Sequence, residues 1–163
     1  MIRPIRPEDE PRVADLHRQL SERSVRLRYF QPLQLSQRTA HERLIRVCFS
    51  DYDREVALVV ERQAAGESGE ILAIGRLSKI PGQDQAEFAI VISDEWQHRG
   101  LGTELLRRLV QIGRDEHVSA IVADILPENA DMRRICEKVG FKLRYEPGDS
   151  VVRALLPLAP VVS

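Results

Sequence analysis

The segment running from Ala86 to Leu126 constrains this chain more than any other. It reads as an apolar strand over Glu87 to Ile92, a loop Trp96-Gln97-His98-Arg99-Gly100-Leu101-Gly102-Thr103, a long helix, and a second apolar strand ended by Pro127. Leu101, Leu105, Leu109 and Ile112, flanked by Leu106 and Val110, give that helix a wide apolar face. Two strands joined through such a helix predict one parallel pair in a shared sheet, with a right-handed crossover.

The flanking elements predict a different kind of pairing. Ile2 to Arg6 reads as a short strand, and the acids and prolines of Pro7 to Pro11 open a helix carrying Val13, Leu16 and Leu20. Ser24 to Tyr29 and Thr39 to Phe49 are two further helices, the second burying Leu44, Val47 and Cys48. Val56 to Val60 and Ile71 to Leu77 read as a hairpin around the Gly66-to-Gly69 turn, and Pro81-Gly82 turns the chain into the strand from Glu87. After Pro127 comes a helix through Met132, Ile135, Cys136 and Val139 with Gly140 as its C-cap, then strands at Leu143–Tyr145 and Val151–Leu156. This order predicts one α/β (α+β) domain over residues 1–157, a mixed, mostly antiparallel sheet flanked by helices, and a tail at 158–163.

At 163 residues the chain suffices for one well-buried core. A formal net charge of -1, with arginines interleaved among acids, argues against a nucleic-acid surface. No stretch approaches the roughly 20 apolar residues of a membrane span, and Met1-Ile2-Arg3-Pro4 lacks the apolar run of a signal peptide. Cys48 and Cys136 have no CxxC spacing and read as reduced thiols, so a cytoplasmic location is expected, with no membrane partner. The histidines have no metal-ligand spacing, and no metal is implied.

Gly100-x-Gly102 opens a helix directly after a strand, so the N–H groups of Leu101, Gly102 and Thr103 lack intrahelical acceptors and can hold phosphate oxygens. A dinucleotide fingerprint would need a third glycine near the start of a βαβ unit, and a Walker loop would need GxxxxGK[ST]; neither is present. The run Gln97-His98-Arg99-Gly100-Leu101-Gly102 resembles the Gln/Arg-x-x-Gly-x-Gly/Ala pyrophosphate loop of the GNAT acetyltransferase superfamily. Pro127-Glu128-Asn129 and Glu137-Lys138-Val139-Gly140-Phe141 resemble that superfamily's later segments. A closer resemblance is to the acetyltransferase domain of bacterial protein lysine acetyltransferases that modify acyl-CoA synthetases. It is carried by Ser24 to Phe30, Asp51 to Val59, Ala86 to Ile92 and Leu126 to Asn129.

The resemblance implies a GNAT-like acyl-CoA N-acyltransferase fold with acetyl-CoA as cosubstrate. It implies that Gln97, His98, Arg99, Gly100, Leu101, Gly102 and Thr103 face the diphosphate. It further implies that the strand at Ile90, Val91 and Ile92 lies along the pantetheine arm and that Asn129 contacts the pantetheine amide. Asn129 also suits an N-cap. Acetyl transfer to an amine needs a proton acceptor, and Glu87 is the candidate general base, an acid on an otherwise apolar central strand. Many relatives carry a tyrosine proton donor where this chain has Cys136, which its apolar helix face marks as a small buried hydrophobe.

The implied acceptor is a protein lysine, on the resemblance an acyl-CoA synthetase's. A small-molecule amine and a non-catalytic acetyl-CoA-binding module remain alternatives, and monomer and homodimer both stay open. Asp51, Asp53, Asp84 and Glu87 are expected to draw a basic, lysine-bearing surface towards the site.

Overall fold

The computed structural model describes residues 1–31, 33–48, 54–63 and 69–158. Strand β1 (Ile2–Pro4) and a 3-10 turn over Pro7–Asp9 lead into helices α1 (Glu10–Gln19), α2 (Glu22–Tyr29), α3 (Leu35–Arg38) and α4 (His41–Cys48). Strands β2 (Glu55–Arg62), β3 (Glu70–Lys79) and β4 (Gln85–Ile92) follow. A 3-10 turn at Asp94–Trp96 then leads to α5 (Leu101–Asp115), β5 (Ala120–Ile125), α6 (Ala130–Val139), β6 (Lys142–Arg144) and β7 (Val152–Pro157).

All seven strands form one sheet in the order β1-β2-β3-β4-β5-β7-β6. Only β4 with β5 is parallel, as the crossover through α5 requires. The pairing is short: Gln85, Ala86 and Glu87 face Ala120, Ile121 and Val122, and no register partner follows on either strand. β4 stays paired with β3 up to Ile92, and β5 stays paired with β7 up to Ile125. The sheet therefore opens into a cleft beyond Glu87, bounded by Phe88 to Ile92 on one side and Ala123 to Ile125 on the other.

Period-2 alternation sends β4 side chains to two cores. Phe88 and Ile90 pack with Leu105, Leu106, Leu109, Ile121 and Phe141 under α5 and α6. Val91 joins Val13, Leu16, Val25, Leu44, Ala57, Val59 and Ile74 under α1, α2 and α4. Each fully buried leucine of α5 contributes roughly 1.5–3 kcal/mol relative to exposure, so the helix that opens the glycine loop is firmly seated.

The expected helix from Thr39 begins later, at His41, and a separate turn of helix, α3, precedes it. Thr39 leaves helical geometry at ψ 7°, and its hydroxyl bonds the Leu35 carbonyl at 2.8 Å, closing α3 behind it. Phe49 and most of the Gly66-to-Gly69 turn lie outside the described residues. The expected tail at 158 is also modified: Leu158 is buried, and its N–H donates to the Ser119 carbonyl at 2.8 Å. No described helix is long and apolar enough to cross a membrane.

Candidate active site

β4 ends at a backbone branch point. The Ser93 N–H donates to the Leu72 carbonyl on β3, while on the opposite side the Asp84 carbonyl accepts from Ser119. Since backbone groups alternate along a strand, Phe88, Ile90 and Ile92 aim theirs into the β4–β5 cleft, and Val91 aims its own at β3. The Ile90 backbone and the Ile92 N–H are thus turned to the cleft, with the Ile92 carbonyl taken by the Gln97 amide, whereas the Val91 backbone is turned to β3.

The glycine loop follows. Gly100 sits at φ 85°, a left-handed conformation that turns the chain into α5 with no side chain capping the helix. Gly102 lies where an added Cβ would stand 2.7 Å from Ile135 Cδ1 and 3.1 Å from Ile92 Cδ1, so only glycine lets α5 approach α6 and β4 this closely. Gln97 is tied down: its amide Nε2 donates to Ser24 Oγ at 3.0 Å and to the Ile92 carbonyl at 3.1 Å. It pins the loop to α2 and β4, whereas the expectation had it facing phosphate. His98, also at positive φ, holds Asp131 of α6 at 3.3 Å, and Arg99 lies exposed over the Trp96 ring at 4.6 Å. Asn129 caps α6, its Oδ1 accepting from the Met132 N–H at 3.2 Å.

Three cavities meet around this strand end. A narrow one of about 90 Å³ runs past Ser24, Leu27, Ile90, Ile92, Gln97, His98 and Asn129. A second, of about 250 Å³, occupies the cleft itself, between Glu87–Ile90 and Ala123–Ile125, with Tyr29, Phe30 and Asn129 on its rim. A third, of about 510 Å³, lies beyond Glu87 and is walled by α2, α4 and strands β2 to β4. Arg28 faces all three, and Glu87 faces the second and third. The carboxylate of Glu87 is exposed at this junction.

The charge of the largest cavity differs from the expected acidic rim. Arg28, Arg43, Arg76 and Lys79 line it against Glu55 and Glu87, an excess of cations among the described residues. Asp51 and Asp53 lie outside the described residues, and Asp84 is exposed and does not line this cavity. Arg76 is paired with Glu55 and donates to the Val47 carbonyl at 2.9 Å. Arg28 and Arg43 clasp the Tyr29 ring from 4.8 and 4.9 Å. Burial, together with the fields of Arg38, Arg43, Arg28 and Arg76, pushes His17 down to about 4, so it is neutral at pH 7. Sequence reasoning missed this cluster because its arginines come from α2, α4 and β3, each drawn from a chain with 24 Lys and Arg in all.

Cys136 is fully buried, and burial, with Glu137 adding to it, pushes its thiol up to about 12. That matches the small-hydrophobe reading. Among the described residues no group of three or more His, Cys, Asp or Glu side chains is placed to hold a metal ion.

Residues 1–142 match the family model for an acetyltransferase (GNAT) domain. The chain is 27% identical to "Acetyltransferase PA5475" of Pseudomonas aeruginosa over 150 residues, 92% of this chain and 78% of that protein. Its fold superposes on the GNAT domain of S. lividans PAT with a TM-score of 0.81 and 26% identity, over 96% of this chain and 89% of that one. The PaiA N-acetyltransferase of Thermoplasma acidophilum, solved in complex with coenzyme A, shares the fold at a TM-score of 0.73 and 17% identity, over 97% and 98% of the chains. The family model spans most of the chain, whose glycine turn opens α5 beside an open β4–β5 cleft, and the chain belongs to the GNAT family of acetyl-CoA-dependent N-acetyltransferases.

Proposed function

We propose that this enzyme acetylates a protein lysine by direct attack of the amine on acetyl-CoA, with Glu87 as the general base. The observation carrying this reading is the position of Glu87, at the last paired residue of β4 before the cleft and facing both larger cavities. A free lysine has a pKa of about 10.4, so making it neutral at pH 7 takes roughly 4.6 kcal/mol. Glu87 accepts that proton directly or through one water. Acetyl-CoA supplies an acetyl group activated as a thioester. The Ile90 backbone N–H, aimed into the same cleft, stabilises the oxyanion that develops on the carbonyl. The N–H groups of Leu101, Gly102 and Thr103, with Arg99 and His98 beside them, hold the diphosphate, and Asn129 and Ile92 line the path of the pantetheine arm. Gln97 acts as a brace for that loop. Cys136, too deeply buried to exchange a proton readily, leaves protonation of the departing thiolate to water.

The lysine acceptor, on an acyl-CoA synthetase or another protein, is supported by the four segments that resemble protein lysine acetyltransferases and by the 26% identity to the S. lividans PAT domain. A small-molecule amine is the second reading, favoured by one observation: the cavity of about 510 Å³ beyond Glu87 is large enough to enclose a compact acceptor.

Glu87→Gln tests the mechanism. Turnover is expected to fall roughly 10²-fold or more while acetyl-CoA affinity, measured by calorimetry, stays nearly intact. Equal rates for variant and parent across pH would remove Glu87 from the mechanism. Acetyl-CoA affinity without turnover on any amine would leave a binding module. Incubation with acetyl-CoA and a lysate, followed by mapping of acetyl-lysines, tests the acceptor, and labelling confined to small amines would defeat the protein reading.

A further inference from the structure

We propose that the acceptor carries an oxyanion, a carboxylate or phosphate, close to the amine that is acetylated, and that Arg28 and Arg43 bind it in the cavity beyond Glu87. This rests on the reading of that cavity as the acceptor side of an N-acetyltransferase.

The argument starts from how the cavity's charges are matched. Of its four lining cations, Arg76 is held by Glu55, and Lys79 reaches Glu116 at 3.4 Å. Arg28 and Arg43 have no ion-pair carboxylate among the described residues, and both guanidinium groups sit against one aromatic ring, Tyr29. The carboxylate whose charge Arg28 senses is Glu87, the group assigned to the amine. Behind them Arg38 is 6% exposed, and its partners among the described residues are neutral: the carbonyls of Leu33 and His17 and the His17 Nδ1 at 3.5 Å. Burial disfavours the charged forms of Arg28, Arg38 and Arg76, and neighbouring arginines add to that in each case. Gathering like charges around a void opposes folding, and an oxyanion seated between them reverses the sign of the interaction.

Guanidinium forks suit this ligand. Their planar donors match the paired oxygens of carboxylate and phosphate better than they match any neutral group. Among the described residues the cations of this cavity outnumber its acids, so a bare alkylammonium adds to the excess, whereas an acceptor with its own anion brings the counter-charge along. The same cationic field assists the chemistry, because it favours the neutral form of a nearby amine just as it does that of His17. Two sources offer such an anion: an acidic side chain next to the target lysine of a protein, or the acid group of a compact amino acid.

Matched acceptor pairs distinguish the sources. The full chain is assayed on lysine peptides flanked by Asp or by Asn, and on 4-aminobutyrate, phosphoethanolamine and neutral counterparts of each. The anionic member of at least one pair is expected to show a kcat/KM about 10-fold or more higher, chiefly through KM, as for hydrogen bonds to charged groups. Arg43→Gln should erase most of that preference, and Arg43→Lys should retain part of it. A preference among the peptides assigns the anion to a protein acceptor, and one among the small amines assigns it to a metabolite. Either result supports the oxyanion site. Equal or better use of neutral acceptors by the parent overturns it, even where Glu87→Gln abolishes turnover and the base assignment stands. If no amine is turned over, the dicarboxylate glutarate decides: it should raise the Tm of the parent and not of Arg43→Gln, and no rise in the parent overturns the site.

Discussion

Two groups of arginines in this molecule are built on opposite principles. Near the N-terminus, Arg3 and Arg12 face Asp9 and Glu61, two cations against two acids. Arg3 grips Asp9 with both Nη atoms at 2.8 Å and reaches Glu61 through Nε at 2.6 Å. Arg12 spans the same two acids at 3.3 and 3.1 Å, and the Arg6 N–H adds a further bond to Asp9 at 2.8 Å. In the second group, Arg28, Arg43 and Arg76 line a cavity with a cation excess among the described residues. The first group joins β1, α1 and β2, and where Arg12 borders a cavity of about 440 Å³ its guanidinium is already held by Asp9 and Glu61. In the second only Arg76 joins elements, through Glu55 of β2 and the Val47 carbonyl of α4, while Arg28 and Arg43 meet no carboxylate among the described residues. Matched charge here serves the fold, and the charge left unmatched among the described residues, at Arg28 and Arg43, is what the proposed oxyanion site uses.

The contrast breaks first at Asp9, whose side chain is fully buried. Asp9→Ala leaves Arg3 half-buried with its main partner gone, and removing one member of a buried ion pair typically destabilises by about 3–5 kcal/mol. For a chain of this size that should lower Tm by roughly 6–20 °C, while turnover per folded molecule is kept. A fall of less than about 2 °C would mean that the network contributes little, and the contrast would lose its first half.

Acid titration separates the two groups within one experiment. Burial alone would raise the Asp9 carboxyl, but the Arg3 hydrogen bonds and the Arg6 N–H outweigh it, and the result lies below the usual range. Glu61 is lowered as well, chiefly by Arg3. Groups depressed in the folded state contribute stability above their unfolded pKa and lose it as pH falls through the folded one. The first cluster should therefore weaken only below about pH 4.5. His17 acts earlier. Its folded value of about 4 lies under its ordinary 6.5, so the unfolded chain takes up its proton first and stability drops between pH 6.5 and 4. His17→Gln should flatten the upper window of a Tm-against-pH curve, and Asp9→Asn the lower one. Identical curves for all three proteins would remove both assignments.

How far the sequence discloses these features follows from the range over which each is encoded. The β4–α5–β5 crossover is local and periodic, so the parallel pair, the α5 face and the Gly100 turn were legible. The break at Thr39 was not, because it depends on a hydroxyl bond to the backbone four residues earlier. The inverted order of the last strands, with β7 beside β5 and β6 at the edge, is a tertiary choice that the sequence analysis did not address. At the site, Glu87 stood out as an acid on an apolar strand. Gln97 was read as a phosphate-side residue, yet its donors are directed inward at Ser24 and Ile92, a pairing that a sequence separation of 73 conceals in the first case. The arginine cluster was invisible for the same reason, being assembled from three elements whose arginines look no different from those on the surface.

The smallest expected effect is also the one that most directly opposes the two clusters, because its sign is reversed. Arg43→Gln removes a cation from among Arg28, Arg38 and Arg76, each of whose charged forms burial already disfavours. It also forfeits one stacking contact on Tyr29, of order 0.5–1 kcal/mol at a partly exposed site. Relief from several like charges should exceed that loss by a small margin, giving a gain of under about 1 kcal/mol, as functional residues held against stability often do when replaced. Arg43 is also one of the groups lowering His17, so its loss lets that histidine rise towards 6.5 and narrows the window over which acid destabilises the chain. The gain over the parent should therefore be larger at pH 5 than at pH 7. Differential scanning calorimetry at the two pH values checks both statements. A Tm several degrees below the parent's at pH 7 would mean that Arg43 has a structural partner like those of Arg3, and the distinction between the clusters would fail.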